Sequence, residues 1–496
     1  MQFTQISFAI FFFVIFVLYW LVLRKWHRAQ NALLLAGSYV FYGWWDWRFL
    51  SLILLTTLTT FFSAKLARRR HGMGITVGNI VLNLSILLLF KYLNFFIENF
   101  KHLFGVDFAT LDILLPVGIS FYTFQAIAYS VDVYKGKIEP CNNLLNFATF
   151  IAYFPQLVAG PIERASQLLT QISAKHLWRR DYAVEGLRMV LVGVLKKVCI
   201  SNMLALYADQ YFLNTGDPIT ALKAGIAFTS QIYVDFSAYS EIARGVSRLL
   251  GIELMANFRF PLFSRNIIEF WQRWHISLMW WFRDYVYIPL GGSRRGLRRT
   301  LINIAIVFIL SGLWHGAAWN YVLWGAYWAL AYIVGKALLH LPKRNESIAM
   351  CHLPSMILTL GIVSFGFYIF RCEDGTQLMN GLHSAFYYIA FFGLSWLIAR
   401  CLVYNRLTTR ITKAAMLLCL VAWLLRYIIL WQTAMADWWL IPALLVFALE
   451  WHNRNADYPT AHISDKRFLR YAFYWVCMLA VLISENEGTS FIYFQF

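Results

Sequence analysis

The feature that most limits how this chain can fold is a stretch of 34 residues, 301–334, that contains no Asp, Glu, Lys or Arg. At a rise of 1.5 Å per residue, a continuous helix of that length would measure about 51 Å. The hydrocarbon core of a bilayer is only about 30 Å thick. The stretch is therefore too long for a single membrane crossing, and it predicts two helices joined by a bend within the membrane.

The bend is expected at Gly312 and Gly316, which flank His315. The helix before the bend would cover only about 22 Å, so His315 should lie at membrane depth. Irregular backbone at that depth occurs where it is buried in protein or lines a wet cavity. Burial disfavours the protonated imidazole, and a general base must be neutral. A core histidine that bonds a carbonyl is the alternative, but the two glycines favour a functional role.

The rest of the chain is equally apolar, because 60% of its 496 residues are hydrophobic and only 14% are charged. Soluble proteins carry about 25% charged residues. This composition excludes a soluble enzyme, a disordered protein and a secreted disulfide scaffold. Continuous apolar runs, rather than alternating ones, exclude a β-barrel. We predict one all-α polytopic membrane domain, 1–496, with N-terminal spans in 1–110, a catalytic core in 111–340 and C-terminal spans in 341–496.

Apolar runs of sufficient length predict about eleven transmembrane helices plus re-entrant or interfacial helices. The candidate runs lie near 6–23, 29–46, 49–66, 75–92, 112–131, 182–206, 219–240, 300–314, 318–339, 354–371, 382–403, 412–430, 438–450 and 468–484.

The net charge of +18 is distributed in short basic runs between the apolar stretches. This is the positive-inside pattern of a membrane protein in contact with lipid, and it argues against a nucleic-acid partner. Arg24, Lys25 and Arg28 follow the first span, so that end should be cytoplasmic and the N-terminus extracytoplasmic. The seven cysteines form no CxxC pair, so neither a metal site nor a disulfide framework is predicted.

A second informative segment is 269–285, which reads as one amphipathic helix at the membrane boundary. Its helical spacing places Trp271, His275, Leu278 and Phe282 on one face, and Glu269, Arg273, Ser277 and Asp284 on a polar stripe. Glu269 and Arg273 are spaced for an ion pair. On such an aromatic face, a lone histidine is more often a packing residue than a catalytic one.

Two further segments carry charge close to apolar spans. The loop 291–299 contains Arg294 and Arg295, which suit either anionic lipid or the phosphates of a ligand, and the lipid interpretation is favoured. The span around 231–244 contains Asp235, Glu241 and Arg244. Glu241 and Arg244 are spaced to neutralise each other, whereas Asp235 has no local partner. Asp235 is expected either to orient a histidine ring nitrogen or to bond backbone groups.

Several segments resemble the membrane-bound O-acyltransferases, and among them the bacterial alginate O-acetyltransferase branch. They are Leu115–Gln125, Tyr153–Ile162, Asp235–Ser237, Trp274–Leu278, Gly312–Ala317 and the C-terminal Phe491–Phe496. The two histidine segments, in this order and about forty residues apart, make the resemblance specific. It runs nearly end to end and thins between 380 and 485. Ala238 and Glu241 depart from the glycine and aspartate expected after Asp-Phe-Ser.

The resemblance implies a ring of tilted helices around a central funnel, with His315 as the catalytic histidine and His275 at the second family position. It implies transfer of an acetyl group from a cytoplasmic thioester, acetyl-CoA or an acyl-carrier thioester, with no tightly bound cofactor. We further expect donor or substrate contacts from Trp271, Trp274, Trp314, Asn320, Asp235, Arg294 and Arg295.

The predicted function is a bacterial inner-membrane acyltransferase that serves O-acetylation of an exopolysaccharide such as alginate, through a periplasmic acetyltransferase partner. One alternative is D-alanyl or other acyl transfer to a cell-envelope polymer such as teichoic acid or peptidoglycan. Another is a polysaccharide or lipid transporter, since broken helices also form transport sites. Transporters usually show paired breaks in two repeated halves, and this sequence has one such break and no repeat.

Overall fold

A computed structural model describes residues 1–69, 72–106, 109–111, 113–158, 160–338, 347–404, 440–461, 463–464, 466–484 and 491–492. The regular structure of these residues is helical throughout, and no strand occurs among them. The all-α prediction is therefore confirmed. The division of the single domain into three parts stays a prediction.

The helices of the first half are α1 Ile6–Val17, α2 His27–Asp46, α3 Leu50–Arg69, α4 Gly72–Lys91, α5 Leu93–Phe104, α6 Ile119–Tyr134, α7 Leu144–Ala152, α8 Phe154–Leu157, α9 Leu168–Ser173, α10 Arg180–Leu195 and α11 Asn202–Leu213. Those of the second half are α12 Pro218–Leu249, α13 Ile267–Arg273, α14 Ile276–Phe282, α15 Leu297–His315, α16 Trp319–Leu338, α17 Leu353–Arg371, α18 Gly375–Tyr404, α19 Leu440–His452 and α20 Arg467–Ile483. Short π-helical turns continue α1, join α10 to α11 and follow α14.

The described helices cover most of the apolar runs of the sequence, and the chain is a multi-pass membrane protein. Within the described residues, six helical segments are long and apolar enough to cross a membrane: His27–Arg68, Gly72–Lys91, Arg180–Leu213, Leu297–His315, Met350–Arg371 and Gly375–Arg400. The expected number of about eleven crossings stays a prediction. The candidate span 412–430 lies outside the described residues.

Helix α12 forms the centre of the fold. Asp217 caps its first turn through bonds from the backbone N–H groups of Ile219 and Thr220, and Pro218 occupies the first helical position. Nearly every later residue of α12 is buried, against α10, α11 and α17. A Cβ atom at Gly245 would lie 2.5 Å from the Gly186 carbonyl oxygen, so glycine is needed where α12 crosses α10. This close packing holds the polar residues 235–244 inside the protein.

Candidate active site

The bend after His315 is present, and one of the two glycines forms it. Helix α15 ends at His315, Gly316 is extended with φ −160° and ψ 156°, and α16 begins at Trp319. Gly312 remains inside α15, so its expected role in the bend is wrong. A Cβ atom at Gly312 would lie 2.1 Å from the carbonyl oxygen of Tyr321. Glycine at 312 therefore allows α15 and α16 to approach closely, whereas Gly316 lets the chain turn.

Aromatic rings surround His315, whose exposed fraction is 7%. The imidazole meets Trp314, Trp324 and Phe370 edge to face, at ring-centroid distances of 4.9, 5.2 and 5.2 Å. Trp324 belongs to α16 and Phe370 to α17, so two helices beyond α15 complete the enclosure. Such an environment disfavours a charged imidazole and excludes water that would compete with a hydroxyl substrate.

The end of α15 is held by the end of α4. The Lys91 ammonium donates to the carbonyl oxygens of Trp314 and His315, at 2.7 and 2.8 Å. The adjacent Tyr92 hydroxyl donates to the Leu313 carbonyl oxygen at 2.6 Å. The last carbonyls of a helix have no partner within the helix. Two consecutive side chains, at the end of α4 and in the turn that follows it, thus satisfy three consecutive carbonyls at the end of α15 that carries His315.

The predicted continuous helix over 269–285 is wrong, because the chain breaks at Trp274 and His275. Helix α13 ends at Arg273, α14 begins at Ile276, and His275 adopts a left-handed conformation with φ 43°. The expected face and polar stripe are therefore divided between two short helices. The predicted ion pair survives within α13, where Arg273 lies 2.8 Å from Glu269.

Bonds from distant segments stabilise the left-handed turn at His275. The Ile276 N–H donates to the Asn257 carbonyl oxygen at 2.9 Å, and the Ser277 hydroxyl donates to Asn257 Oδ1 at 2.6 Å. The Ile162 N–H in turn donates to the Ser277 hydroxyl at 3.0 Å. A left-handed non-glycine residue persists only where its surroundings hold it. Here the loops around 162 and 257 supply that restraint.

The fold brings the two histidines to the same tryptophan. Trp314 lies 4.9 Å from the His315 ring and 5.7 Å from the His275 ring, centroid to centroid. Phe236 of α12 packs edge to face against His275 at 4.9 Å. Residues forty positions apart in the sequence are thus neighbours in one buried aromatic cluster, which suits joint action on one substrate.

Trp271 and Trp274, the other tryptophans expected at the site, make no ring contact with His315 among the contacts described. Trp271 is one ring removed from His315, because it packs 5.9 Å from Trp324. Trp274 instead packs against Phe367 and Phe258.

Asn320 of α16 forms a hydrogen bond to α17. Its side-chain amide donates to the Phe370 carbonyl oxygen at 2.8 Å. Since Phe370 contacts His315, Asn320 reaches the histidine only through that ring.

Asp235 is partnered by residues distant in sequence. Its carboxylate accepts bonds from the Lys197 ammonium at 2.5 Å, from the Ser201 hydroxyl at 2.8 Å and from the Ile492 N–H at 2.8 Å. Of the two expected roles, the bond to a backbone group is therefore present, along with an ion pair. Phe491, beside Ile492, stacks on Tyr239 at 4.6 Å, so the C-terminal segment packs against α12.

The expected neutralisation of Glu241 by Arg244 is wrong. Glu241 accepts from Lys196 at 2.7 Å, and the same ammonium contacts Glu450 of α19 at 2.8 Å. Arg244 instead lies 2.9 Å from Glu253, which follows α12. Partners beyond the helix offer better geometry than residues three positions apart, so local spacing did not identify them.

A large cavity of about 1570 Å³ approaches the cluster from one side. Its inner wall includes Trp271 and Phe308, which pack together at 5.2 Å. Phe308 lies seven residues before His315, or about 10 Å along α15. Trp271 and Trp324 therefore separate the cavity from the histidine.

The lining of this cavity is predominantly basic. Its cationic side chains outnumber the acidic Glu253 and Asp457, and they are Arg244, Arg248, Arg259, Arg273, Arg283, Lys336 and Arg454. Arg244, Arg248, Arg273 and Arg283 each form an ion pair with a carboxylate, so part of this positive charge is already neutralised. The remaining excess of positive charge attracts an anionic ligand. Arg294 and Arg295 lie exposed in the turn before α15 and are not part of the lining.

Sequence reasoning missed several of these residues. Lys91 ends an apolar run and is the one charged residue of α4, which was an available signal. Lys336 and Arg454 offer no such signal in the sequence, because only the packing of distant helix ends brings them to one cavity.

Comparison with known proteins identifies a family for this chain. Residues 39–372 match the profile of the membrane-bound O-acyltransferase family, a range that contains both histidines. A probable alginate O-acetylase of Pseudomonas aeruginosa is 38% identical over 388 residues, which cover 75% of this chain and 72% of the relative.

Two further relatives are named for other activities. A peptidoglycan O-acetyltransferase of Helicobacter pylori is 31% identical over 386 residues, covering 70% of this chain and 73% of the relative. A teichoic acid D-alanyltransferase of Bacillus subtilis is 28% identical over 277 residues, covering 51% of this chain and 68% of the relative.

Proposed function

Since this chain belongs to the membrane-bound O-acyltransferase family, we propose that it is a membrane O-acetyltransferase acting on a cell-envelope polysaccharide, with alginate or a similar polymer as acceptor. The acetyl group comes from a thioester on the cytoplasmic side. The assignment of an acyltransferase rests on the family itself. The choice of acetyl group and polysaccharide is supported by the relatives named for alginate and peptidoglycan O-acetylation.

The observation that carries the proposal is the placement of His315. It ends a broken helix within an aromatic enclosure, shares Trp314 with His275, and lies one aromatic layer from a basic cavity. A thioester donor that carries phosphates, such as acetyl-CoA, is anionic at one end and uncharged at its reactive end. The cavity offers surfaces for both ends of such a donor, because its lining includes cationic side chains as well as the apolar Trp271 and Phe308. Arg294 and Arg295 remain candidates for attracting the donor at the surface.

In the proposed mechanism, neutral His315 accepts the proton of the acceptor hydroxyl as its oxygen attacks the thioester carbonyl carbon. His275 binds or polarises the carbonyl oxygen, on which negative charge develops. Collapse of the tetrahedral intermediate breaks the carbon–sulfur bond, and the departing thiolate takes the proton from His315. A covalent acyl-histidine is the less favoured variant, since a thioester is already activated for direct attack.

Replacement of His315 tests this assignment. We expect His315→Ala to lower the rate of thiol release from acetyl-CoA by about 10²–10⁴-fold, because general-base catalysis contributes that much. His383→Ala is the matched control, since His383 is an exposed histidine of α18. Purified protein in lipid nanodiscs supplies the rate, and the O-acetyl content of the envelope polysaccharide supplies the cellular result. Normal insertion and full acetylation by His315→Ala would refute the assignment.

The proposed setting is the inner membrane of a bacterium, with the N-terminus extracytoplasmic and a periplasmic acetyltransferase partner that completes transfer to the polymer. Deletion of the chain should remove O-acetyl groups from one envelope glycan, and that glycan identifies the acceptor. D-alanyl transfer is the second candidate, supported by the relative named for teichoic acid. A purified protein that ignores acetyl-CoA but consumes a D-alanyl carrier-protein thioester would favour it.

A further inference from the structure

Three neighbouring tryptophans near His315 have indole N–H groups with no acceptor among the described residues. They are Trp271 of α13 and Trp324 and Trp328 of α16, and all three are buried. The ring of Trp271 lies 5.9 Å from that of Trp324 and 4.9 Å from that of Trp328, centroid to centroid. A buried indole N–H usually has a partner, and a buried donor without one costs stability. The cluster therefore requires an explanation.

Two other buried tryptophans show that this fold can supply acceptors for indoles. The Trp20 N–H donates to the Leu249 carbonyl oxygen at 2.9 Å, and the Trp281 N–H donates to the Phe124 carbonyl oxygen at 2.8 Å. Buried polar groups without partners occur at functional sites, where a ligand completes their hydrogen bonds. Unpartnered donors concentrated beside the proposed base thus indicate acceptor atoms that arrive with a ligand.

Two of the three tryptophans lie between the basic cavity and His315. Trp271 lines the inner wall of the cavity, and Trp324 contacts both the Trp271 ring and the His315 imidazole, the latter at 5.2 Å. Trp328 packs against both tryptophans but is not among the residues that line the cavity. A thioester that enters through the cavity therefore meets the indole of Trp271 first and then that of Trp324, beside the base.

From this arrangement we infer that the indole N–H groups of Trp271 and Trp324 bind the acyl donor, and that together they select an acyl thioester whose arm carries an amide. Trp324 donates to the thioester carbonyl oxygen, and Trp271 donates to the nearest amide oxygen. This inference rests on the proposed function of His315. When the amide begins two carbons beyond the sulfur, the two carbonyl carbons are five bonds apart, or about 6 Å in an extended arm. That length is close to the 5.9 Å between the two rings.

The two contacts act at different stages of the reaction. Negative charge develops on the thioester oxygen in the transition state, so a bond from Trp324 adds to the stabilisation proposed for His275. The amide oxygen changes little during the reaction, so a bond from Trp271 strengthens the ground state and the transition state equally. Loss of the Trp324 donor should therefore lower kcat, and loss of the Trp271 donor should raise KM.

Phenylalanine removes the indole N–H and keeps an aromatic ring, so the experiment compares Trp271→Phe, Trp324→Phe and the control Trp20→Phe in nanodiscs. Thiol release from acetyl-CoA gives kcat and KM. Trp271→Phe should raise KM by about 3–10-fold with kcat retained, the usual effect of one neutral hydrogen bond. Trp324→Phe should lower kcat by about 10²-fold. Trp20→Phe should leave both constants unchanged.

Thermal unfolding of the same variants tests whether the donors lack partners in the free protein. All three substitutions remove the same atoms from a buried ring, but only Trp20→Phe also loses a hydrogen bond made within the protein. Trp20→Phe should therefore lower Tm more than Trp271→Phe or Trp324→Phe does. A role in packing alone predicts no such difference combined with a change in KM or kcat.

Two short thioesters test the selection of the amide directly. S-acetyl-N-acetylcysteamine carries an amide two carbons beyond the sulfur, whereas S-pentyl thioacetate has the same length and no amide. The unmodified protein should show the higher kcat/KM with the amide thioester. Trp271→Phe should reduce this preference by about 3–10-fold, and Trp324→Phe should retain it.

Three results would overturn the inference. They are unchanged kinetic constants in both Trp271→Phe and Trp324→Phe, an undiminished preference for the amide thioester in Trp271→Phe, and the absence of that preference in the unmodified protein. The last result needs no variant and holds even if a substitution prevents folding. Failure of the proposed function gives a different pattern, because the unmodified protein would then release no thiol from any of these thioesters, or His315→Ala would retain the full rate.

Discussion

Replacing Gly312 by alanine tests whether the close approach of α15 and α16 positions His315. The added Cβ atom would lie 2.1 Å from the carbonyl oxygen of Tyr321, and distances below 3.0 Å are essentially never observed for such atoms. The carbonyl oxygen of Tyr321 belongs to the backbone, and a Cβ atom is bonded directly to the backbone. Rotation of a side chain therefore cannot relieve the contact. The two helices must separate by about 1 Å, since packed interiors hold no spare volume. His315 follows only three residues later, so its imidazole shares the displacement.

A misplacement of about 1 Å lowers the rate of an enzyme by roughly 10²-fold. We therefore expect Gly312→Ala to reduce kcat by about that factor and to lower stability by about 1–3 kcal/mol, the usual effect of overpacking. Gly78→Ala is the matched control, because Gly78 lies within α4 and a Cβ atom there meets nothing within 4 Å. The measurements are thiol release from acetyl-CoA and thermal unfolding in nanodiscs. If Gly312→Ala matched Gly78→Ala in both, the close approach of α15 and α16 would not position His315.

Two further predictions concern buried carboxyl groups. Burial raises the pKa of the Glu163 carboxyl to about 8, from an ordinary value of 4.5. Between pH 4.5 and 8, the folded protein thus keeps a proton on Glu163 that the unfolded chain has already lost. The free energy of unfolding should therefore fall across that window by up to about 4–5 kcal/mol. Glu163→Gln should flatten this part of the pH dependence of thermal unfolding, and an unaltered slope would contradict the prediction. Asp235→Ala should destabilise the protein by about 3–5 kcal/mol, because it leaves the buried Lys197 ammonium without its carboxylate. The double variant Asp235→Ala with Lys197→Met should recover much of this loss in denaturation experiments, and strictly additive losses would show that the ion pair is not the cause.

Local patterns in the sequence predicted the helices well. Hydropathy predicted apolar helices, and six helical segments of the described residues are long and apolar enough to cross a membrane. The length of the uncharged stretch 301–334 required a bend, which lies at Gly316. The ion pair between Glu269 and Arg273 also followed from spacing, since residues four apart meet on any helix. These features depend on neighbours within a few residues and on the thickness of the bilayer.

Local patterns failed where a distant segment decides the conformation. Helical periodicity predicts one helix through His275, but Ile276 and Ser277 donate hydrogen bonds to Asn257, in a distant loop, and these bonds hold a left-handed turn at His275. Spacing predicts an ion pair between Glu241 and Arg244, whereas the structure pairs Glu241 with Lys196, 45 residues away in the sequence.

The sequence alone determined that this chain is a membrane protein with many helices and that His315 lies at a break between two of them. Hydrophobicity and helix geometry act locally, and the thickness of the bilayer sets the length of a spanning helix. The tertiary structure alone decided which groups surround that break. It brought His275 to Trp314, Lys91 to the end of α15 and a basic cavity to within one aromatic layer of His315. Such contacts join segments tens to hundreds of residues apart, and they depend on how closely helices pack, which no short pattern records.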